Sequence, residues 1–279
     1  MAIAVKKVGS VLVKLGLMGL LALMPTDLAM TQPVSVRIAA PVEAAEPVQA
    51  ADPELVPETP AEPEQTPAAA PEEDAVADGD AAAEIPEGPV DDAYFADAVF
   101  LGDSRTEGLS LYSGLKTPVY LHAVGATVDS VQTKATEETK GGKITLMDRL
   151  DQLEFSKVYI MLGVNELGWP KTEKFEERYS DIVDRIQENH PEARVALQSI
   201  LPVSEKQDQK GSYVNNRRIG QYNEVVRRVA EEKGCVYLDV AEAVTGENGC
   251  LMANLTTDGV HLNTKGCKLW LEYLKEHPI

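Results

Sequence analysis

Along the second two thirds of this chain, short apolar runs alternate with longer stretches in which apolar residues recur every three or four positions. Buried strands produce the first pattern and amphipathic helices the second. The runs Ala98–Leu101, Val119–Ala123, Lys157–Leu162, Arg194–Ile200 and Val236–Leu238 are therefore predicted strands. Helices are predicted near Thr106–Tyr112, Thr145–Leu153, Phe175–Asn189, Ile219–Lys233 and Thr264–Lys275, with Gly234 where a C-terminal cap belongs. Strands that alternate with helices form parallel sheets joined by crossover helices. The expected fold is one α/β domain over residues 93–279, with a five-stranded, doubly wound parallel sheet.

The pattern is absent before Asp92. Residues 31–92 are mostly Pro, Ala and Glu, with phrases such as Thr59-Pro60-Ala61-Glu62-Pro63-Glu64, and too few apolar side chains to build a core. They are expected to form a disordered linker. At the start, Lys6-Lys7 precedes a largely apolar run from Val8 to Met24, whose uninterrupted part, Leu15 to Met24, is shorter than a spanning helix needs. Residues 1–30 are thus expected to be a signal peptide or an N-terminal membrane anchor. The protein would then be secreted, or tethered at the cell envelope with the linker as spacer.

Charge changes the picture in one respect. The chain carries −19, of which residues 31–92 hold −15 and residues 1–30 hold +2, leaving −6 for the folded part. A mildly acidic domain lacks the basic face that nucleic acid requires, so no nucleic-acid partner is expected. Cys235, Cys250 and Cys267 have no metal or redox spacing. Three buried thiols are expected rather than a disulfide, with Cys250 and Cys267 the pair to consider otherwise. No metal and no cofactor are expected.

In open α/β sheets ligands sit beyond the carboxyl ends of the strands. Three such ends carry chemistry: Gly102-Asp103-Ser104, Val124-Gly125-Ala126 and Gly163-Val164-Asn165-Glu166. A serine opening a helix after a buried strand presents its hydroxyl at the sheet edge, and its own N–H points to the same space. Together with the Gly125 N–H and the Asn165 carboxamide, it would supply three donors for an oxyanion.

Serine needs a base. His190 and His277 precede prolines in polar contexts and are expected at helix ends, while His122 falls in a strand. His261 stands in Thr257-Asp258-Gly259-Val260-His261-Leu262, just before the final helix, where Asp258 is close enough to fix its tautomer. Ser104, Asp258 and His261 are the candidate nucleophile, acid and base. No Gly-x-Ser-x-Gly, Gly-x-Gly-x-x-Gly or phosphate-loop motif competes with them.

These segments, in this order, resemble the GDSL/SGNH hydrolase superfamily across nearly all of residues 97–279. The resemblance implies a flavodoxin-like α/β/α fold. It makes Phe100-Leu101-Gly102-Asp103-Ser104 the nucleophile motif, Gly125 and Asn165 the further oxyanion donors, and Asp258-Gly259-Val260-His261 the acid and base. Gln198–Pro202 and Tyr222-Asn223 resemble framework segments of the same superfamily. Two positions depart from it, Arg105 where the naming motif has leucine and Glu166 where an aspartate is usual, and no role is assigned to Glu166. The implied activity is ester hydrolysis, with short acyl groups and an acylated glycan among the expected substrates. Acyl transfer to a sugar hydroxyl by the same residues, or glycan binding without catalysis, are the alternatives. Arg105 is expected on the surface, and Trp169 is expected to cap the core.

Overall fold

The computed structural model describes residues 85–279; the expectations for residues 1–30 and for the linker up to residue 84 lie outside the described residues. Among the described residues no helix is long and apolar enough to cross a membrane.

A 3-10 turn at Asp92–Phe95 leads into β1 (Ala98–Gly102), α1 (Ser104–Tyr112), β2 (Val119–His122), α2 (Ser130–Thr133), β3 (Glu137–Thr139), β4 (Gly142–Ile144) and α3 (Leu146–Leu150). The chain continues through β5 (Lys157–Met161), α4 (Glu173–Asn189), β6 (Arg194–Gln198), α5 (Glu205–Asp208), α6 (Asn216–Lys233), β7 (Val236–Leu238) and α7 (Thr264–Glu276). Five strands form one sheet in the order β2-β1-β5-β6-β7, and every pairing in it is parallel. This is the predicted flavodoxin-like sheet, with α/β/α layers.

Alternation along the strands sorts the side chains into two cores. Val99, Leu101, Val158 and Ile160 point to the face covered by α2, α3, α4 and α6. Phe100, Tyr159 and Met161 point to the other, covered by α1 and α7, where the Phe100 and Tyr159 rings stack at 4.8 Å. Strands buried on both faces read as continuous apolar runs, which explains why the central strands β1, β5 and β6 were legible.

The differences from expectation lie at polar boundaries. Helix α1 starts at Ser104 rather than Thr106 because the Asp103 carboxylate caps it, accepting from the Arg105 N–H at 2.8 Å. Helix α6 starts at Asn216 rather than Ile219, capped by Asn215, which accepts from the Arg218 N–H. Helix α3 is shorter than predicted, with Thr145 outside it in a reciprocal capping box with Asp148. The antiparallel hairpin of β3 and β4 was not foreseen: its six residues show no apolar alternation, and Lys140 and Gly141 form its turn.

The chain reverses direction across the sheet after β1, stepping out to β2 and then back to β5 on the opposite side. The crevice at such a switch lies beyond the carboxyl ends of β1 and β5. Ser104 and Asn165 stand there.

Candidate active site

Asp103 caps α1 and so fixes the first turn, which sets Ser104 at the helix start with its hydroxyl outward. Opposite, the segment between Leu255 and α7 folds back as a tight turn. Asp258 Oδ1 accepts from the backbone N–H groups of Val260 and His261, both at 2.8 Å, and Gly259 adopts φ +89° between them. A side chain at Gly259 would be strained by that φ and would press on Ser204 Oγ, 2.5 Å from an ideal Cβ. The turn delivers the imidazole to the serine.

Ser104 Oγ lies 2.9 Å from His261 Nε2, and His261 Nδ1 lies 2.7 Å from Asp258 Oδ2. The expected relay therefore exists as a continuous hydrogen-bonded chain. Partial burial raises the Asp258 carboxyl, but bonds from the His261 ring and from the His261 and Val260 N–H groups outweigh it and bring it to about 2. An anionic Asp258 holds the proton on Nδ1 and leaves Nε2 to accept from serine.

Gly125 and Asn165 line the same cleft as Ser104 and His261, a space of about 300 Å³. Gly125 sits in a left-handed turn at φ +74° after β2, and neither its N–H nor that of Ser104 meets an acceptor among the described residues. Asn165 spends one carboxamide N–H on the Ala126 carbonyl at 2.8 Å, which leaves the other for the cleft. All five candidate residues are thus brought together, with Asp258 behind His261. The remaining histidines are not. His122 ends β2, His190 ends α4 with its ring 4.4 Å from Phe155, and His277 ends α7 bonded to the Tyr273 carbonyl.

Arg105 is a correction. It is 3 % exposed, not a surface residue, and donates to the Leu201 carbonyl at 2.8 Å. The turn that faces Ser104 outward rotates the next residue inward, onto the face that α7 covers. Burial lowers the Arg105 guanidinium to about 10 against the opposing pull of Asp103 and Asp258, and burial likewise raises the Asp103 carboxyl. Trp169 is partly buried against the core as expected, with Lys174 over its ring. The three cysteines are free thiols; Cys250 and Cys267 are buried and Cys235 is half-buried. Among the described residues no cluster of His, Cys, Asp and Glu could hold a metal.

Glu166, given no role from the sequence, is fully buried. Its Oε1 accepts from the Val128 N–H at 2.6 Å, beside the Asn165–Ala126 bond. Consecutive side chains thus brace the Asn165 loop to the loop that carries Gly125. Tyr222 supports the brace from below by donating to the Glu166 carbonyl, and Asn223 pairs with both backbone groups of Ile200, so the two framework segments hold site loops. Gln207, Tyr213 and Val214 also line the cleft and were missed. They come well after the end of β6, on α5 and the loop that follows it, too far from the strand end for the rule that located Ser104 to single them out.

Residues 100–269 match the GDSL-like lipase/acylhydrolase family. The chain belongs to that family. Its GDSL-like domain is also similar in fold to solved structures. A Streptococcus pneumonia protein described as a candidate platelet activating factor is 24 % identical, covering 65 % of this chain and 83 % of its own, with a TM-score of 0.52. A GDSL-like lipase from Bacteroides thetaiotaomicron is 20 % identical over 68 % of this chain and 89 % of its own, at 0.50. An acetyl xylan esterase, also 20 % identical, covers 63 % of this GDSL-like chain and 96 % of its own, at 0.50. No curated protein matches the sequence.

Proposed function

We propose that this GDSL-like hydrolase is a serine esterase acting on small acyl groups through an acyl-enzyme on Ser104. The observation that carries the reading is the unbroken chain from Asp258 through His261 to Ser104 Oγ. Ser104 Oγ attacks the ester carbonyl as His261 Nε2 takes its proton. The carbonyl oxygen becomes anionic and is held by the N–H groups of Ser104, Gly125 and Asn165. The carbon–oxygen bond to the alcohol breaks, and His261 returns the proton to the departing alkoxide. Water then attacks the acyl carbon, passing its proton to His261, and the bond to Ser104 Oγ breaks as that proton returns. A cleft of about 300 Å³ has room for an acetyl group together with the first part of its alcohol, and an acetyl xylan esterase stands among the proteins of similar fold. Lys6-Lys7 with the apolar run Leu15 to Met24 supports export to the cell envelope.

The test is hydrolysis of p-nitrophenyl acetate. The expected result is a kcat at least about 10³-fold lower in Ser104→Ala than in the parent, with an unchanged melting temperature. Equal rates would refute the assignment.

A further inference from the structure

A second, larger groove of about 860 Å³ opens beside the cleft. Gln207 lines both. The Asp258–His261 turn divides them, with Asp258 and Gly259 on the groove and Val260 and His261 on the cleft. That side matters chemically. In the mechanism above His261 protonates the departing alkoxide, so the alcohol part of the ester must extend from Ser104 toward His261, away from the donors that hold the carbonyl oxygen. The groove begins where that part of the substrate must go.

Its lining suits a polyol. Lys206, Asn254 and Thr257 are exposed there, and their side chains are engaged in no hydrogen bond among the described residues. Met252, half-buried, adds an apolar surface to that lining. A sugar ring has that same mixture, an apolar C–H face edged by hydroxyls, whereas a long acyl chain needs a continuous apolar wall. At the mouth of the cleft Tyr213 is 57 % exposed, leaving a ring free to stack on a sugar.

We infer that this groove binds the alcohol portion of the substrate and that the alcohol is a carbohydrate chain; the inference rests on the assignment of Ser104 and His261. The test uses the full chain and its Thr257→Trp and Asn254→Trp variants, which fill the groove from exposed positions, with melting temperatures confirming the fold. Substrates are p-nitrophenyl acetate, p-nitrophenyl octanoate and O-acetylated oligosaccharides of xylan, mannan and pectin. For the preferred oligosaccharide, kcat/KM relative to that for p-nitrophenyl acetate is expected to fall roughly tenfold or more in either variant, through KM. A second arm needs no catalysis: the deacetylated oligosaccharides are titrated onto Ser104→Ala, and binding weakened about tenfold by adding Thr257→Trp supports the groove even if Ser104 does no chemistry. An unchanged ratio in both variants overturns the inference, as does a failure of all three oligosaccharides to bind. A loss confined to the octanoate ester also overturns it, by assigning the groove to the acyl chain.

Discussion

Glu166 shows how one side chain supports chemistry it does not perform. Its carboxyl is pushed up to about 8 by burial, against the pull of the Val128 N–H, so the folded protein favours the neutral acid while the unfolded chain ionises near 4.5. The stability this group contributes is fully present below about 4.5 and is lost as the pH rises through about 8. Glu166→Gln is therefore expected to flatten the fall in melting temperature between acidic and mildly alkaline pH, measured by scanning calorimetry. A parallel decline in both proteins would show that another group carries the effect. At Asn165 the expected loss is catalytic: Asn165→Ala should lower kcat on p-nitrophenyl acetate about 10²–10³-fold, the usual cost of one oxyanion donor. Arg105 shows the limit of residue-scale reading, because nothing in Ser104-Arg105-Thr106 distinguishes a guanidinium turned to water from one turned onto the Leu201 carbonyl.

Among the elements, α7 bears most directly on the site, since its N-cap Asn263 stands two residues after His261. Asn263 Oδ1 accepts from the N–H groups of Lys265 and Gly266, and its Nδ2 donates to the Asn254 carbonyl at 2.9 Å. Asn263→Ala is expected to cost about 1–2 kcal/mol in urea unfolding, with Asn263→Asp recovering the cap but not the bond to Asn254. Elements were legible where apolar or β-branched residues run together, whether the strand is fully buried, as β5 is, or an exposed edge, as β2 and β7 are. Strand β5, buried at every position, and α6, with its apolar stripe from Ile219 to Ala230, stand out from the residues alone. The β3–β4 hairpin does not, since Glu137, Glu138 and Lys143 carry no information about burial when the strand is largely exposed. The short α5 was hidden for the same reason, yet it carries Gln207 into the cleft.

The core on the Phe100 and Tyr159 side of the sheet is closed at one edge by Ile279. Ile279 is fully buried, its carbonyl accepts from Arg194 at 2.7 Å and from the Tyr94 hydroxyl, and its N–H donates back to Tyr94. The start of the domain, β6 and the end of the chain are thus tied at one point. Ile279→Ala should cost about 2–5 kcal/mol and lower the melting temperature by roughly 5–15 °C, as truncation of a buried aliphatic side chain does in a domain of this size. Activity per folded molecule should be retained, because the tie is made by Tyr94 and Arg194 and not by any residue of the cleft.

The sequence by itself determined the sheet, its two covered faces and the residues able to act as nucleophile, base, acid and oxyanion donors. Strand burial and strand-end chemistry are written locally, in runs of a few residues. Tertiary structure alone decided that Ser104 and His261, 157 positions apart, stand 2.9 Å from each other. It also decided that Arg105 turns inward, that Glu166 braces two loops, and that a groove opens on the His261 side. Each of these depends on which surfaces meet when the layers pack, a distance between remote segments that no local pattern of polar and apolar residues encodes.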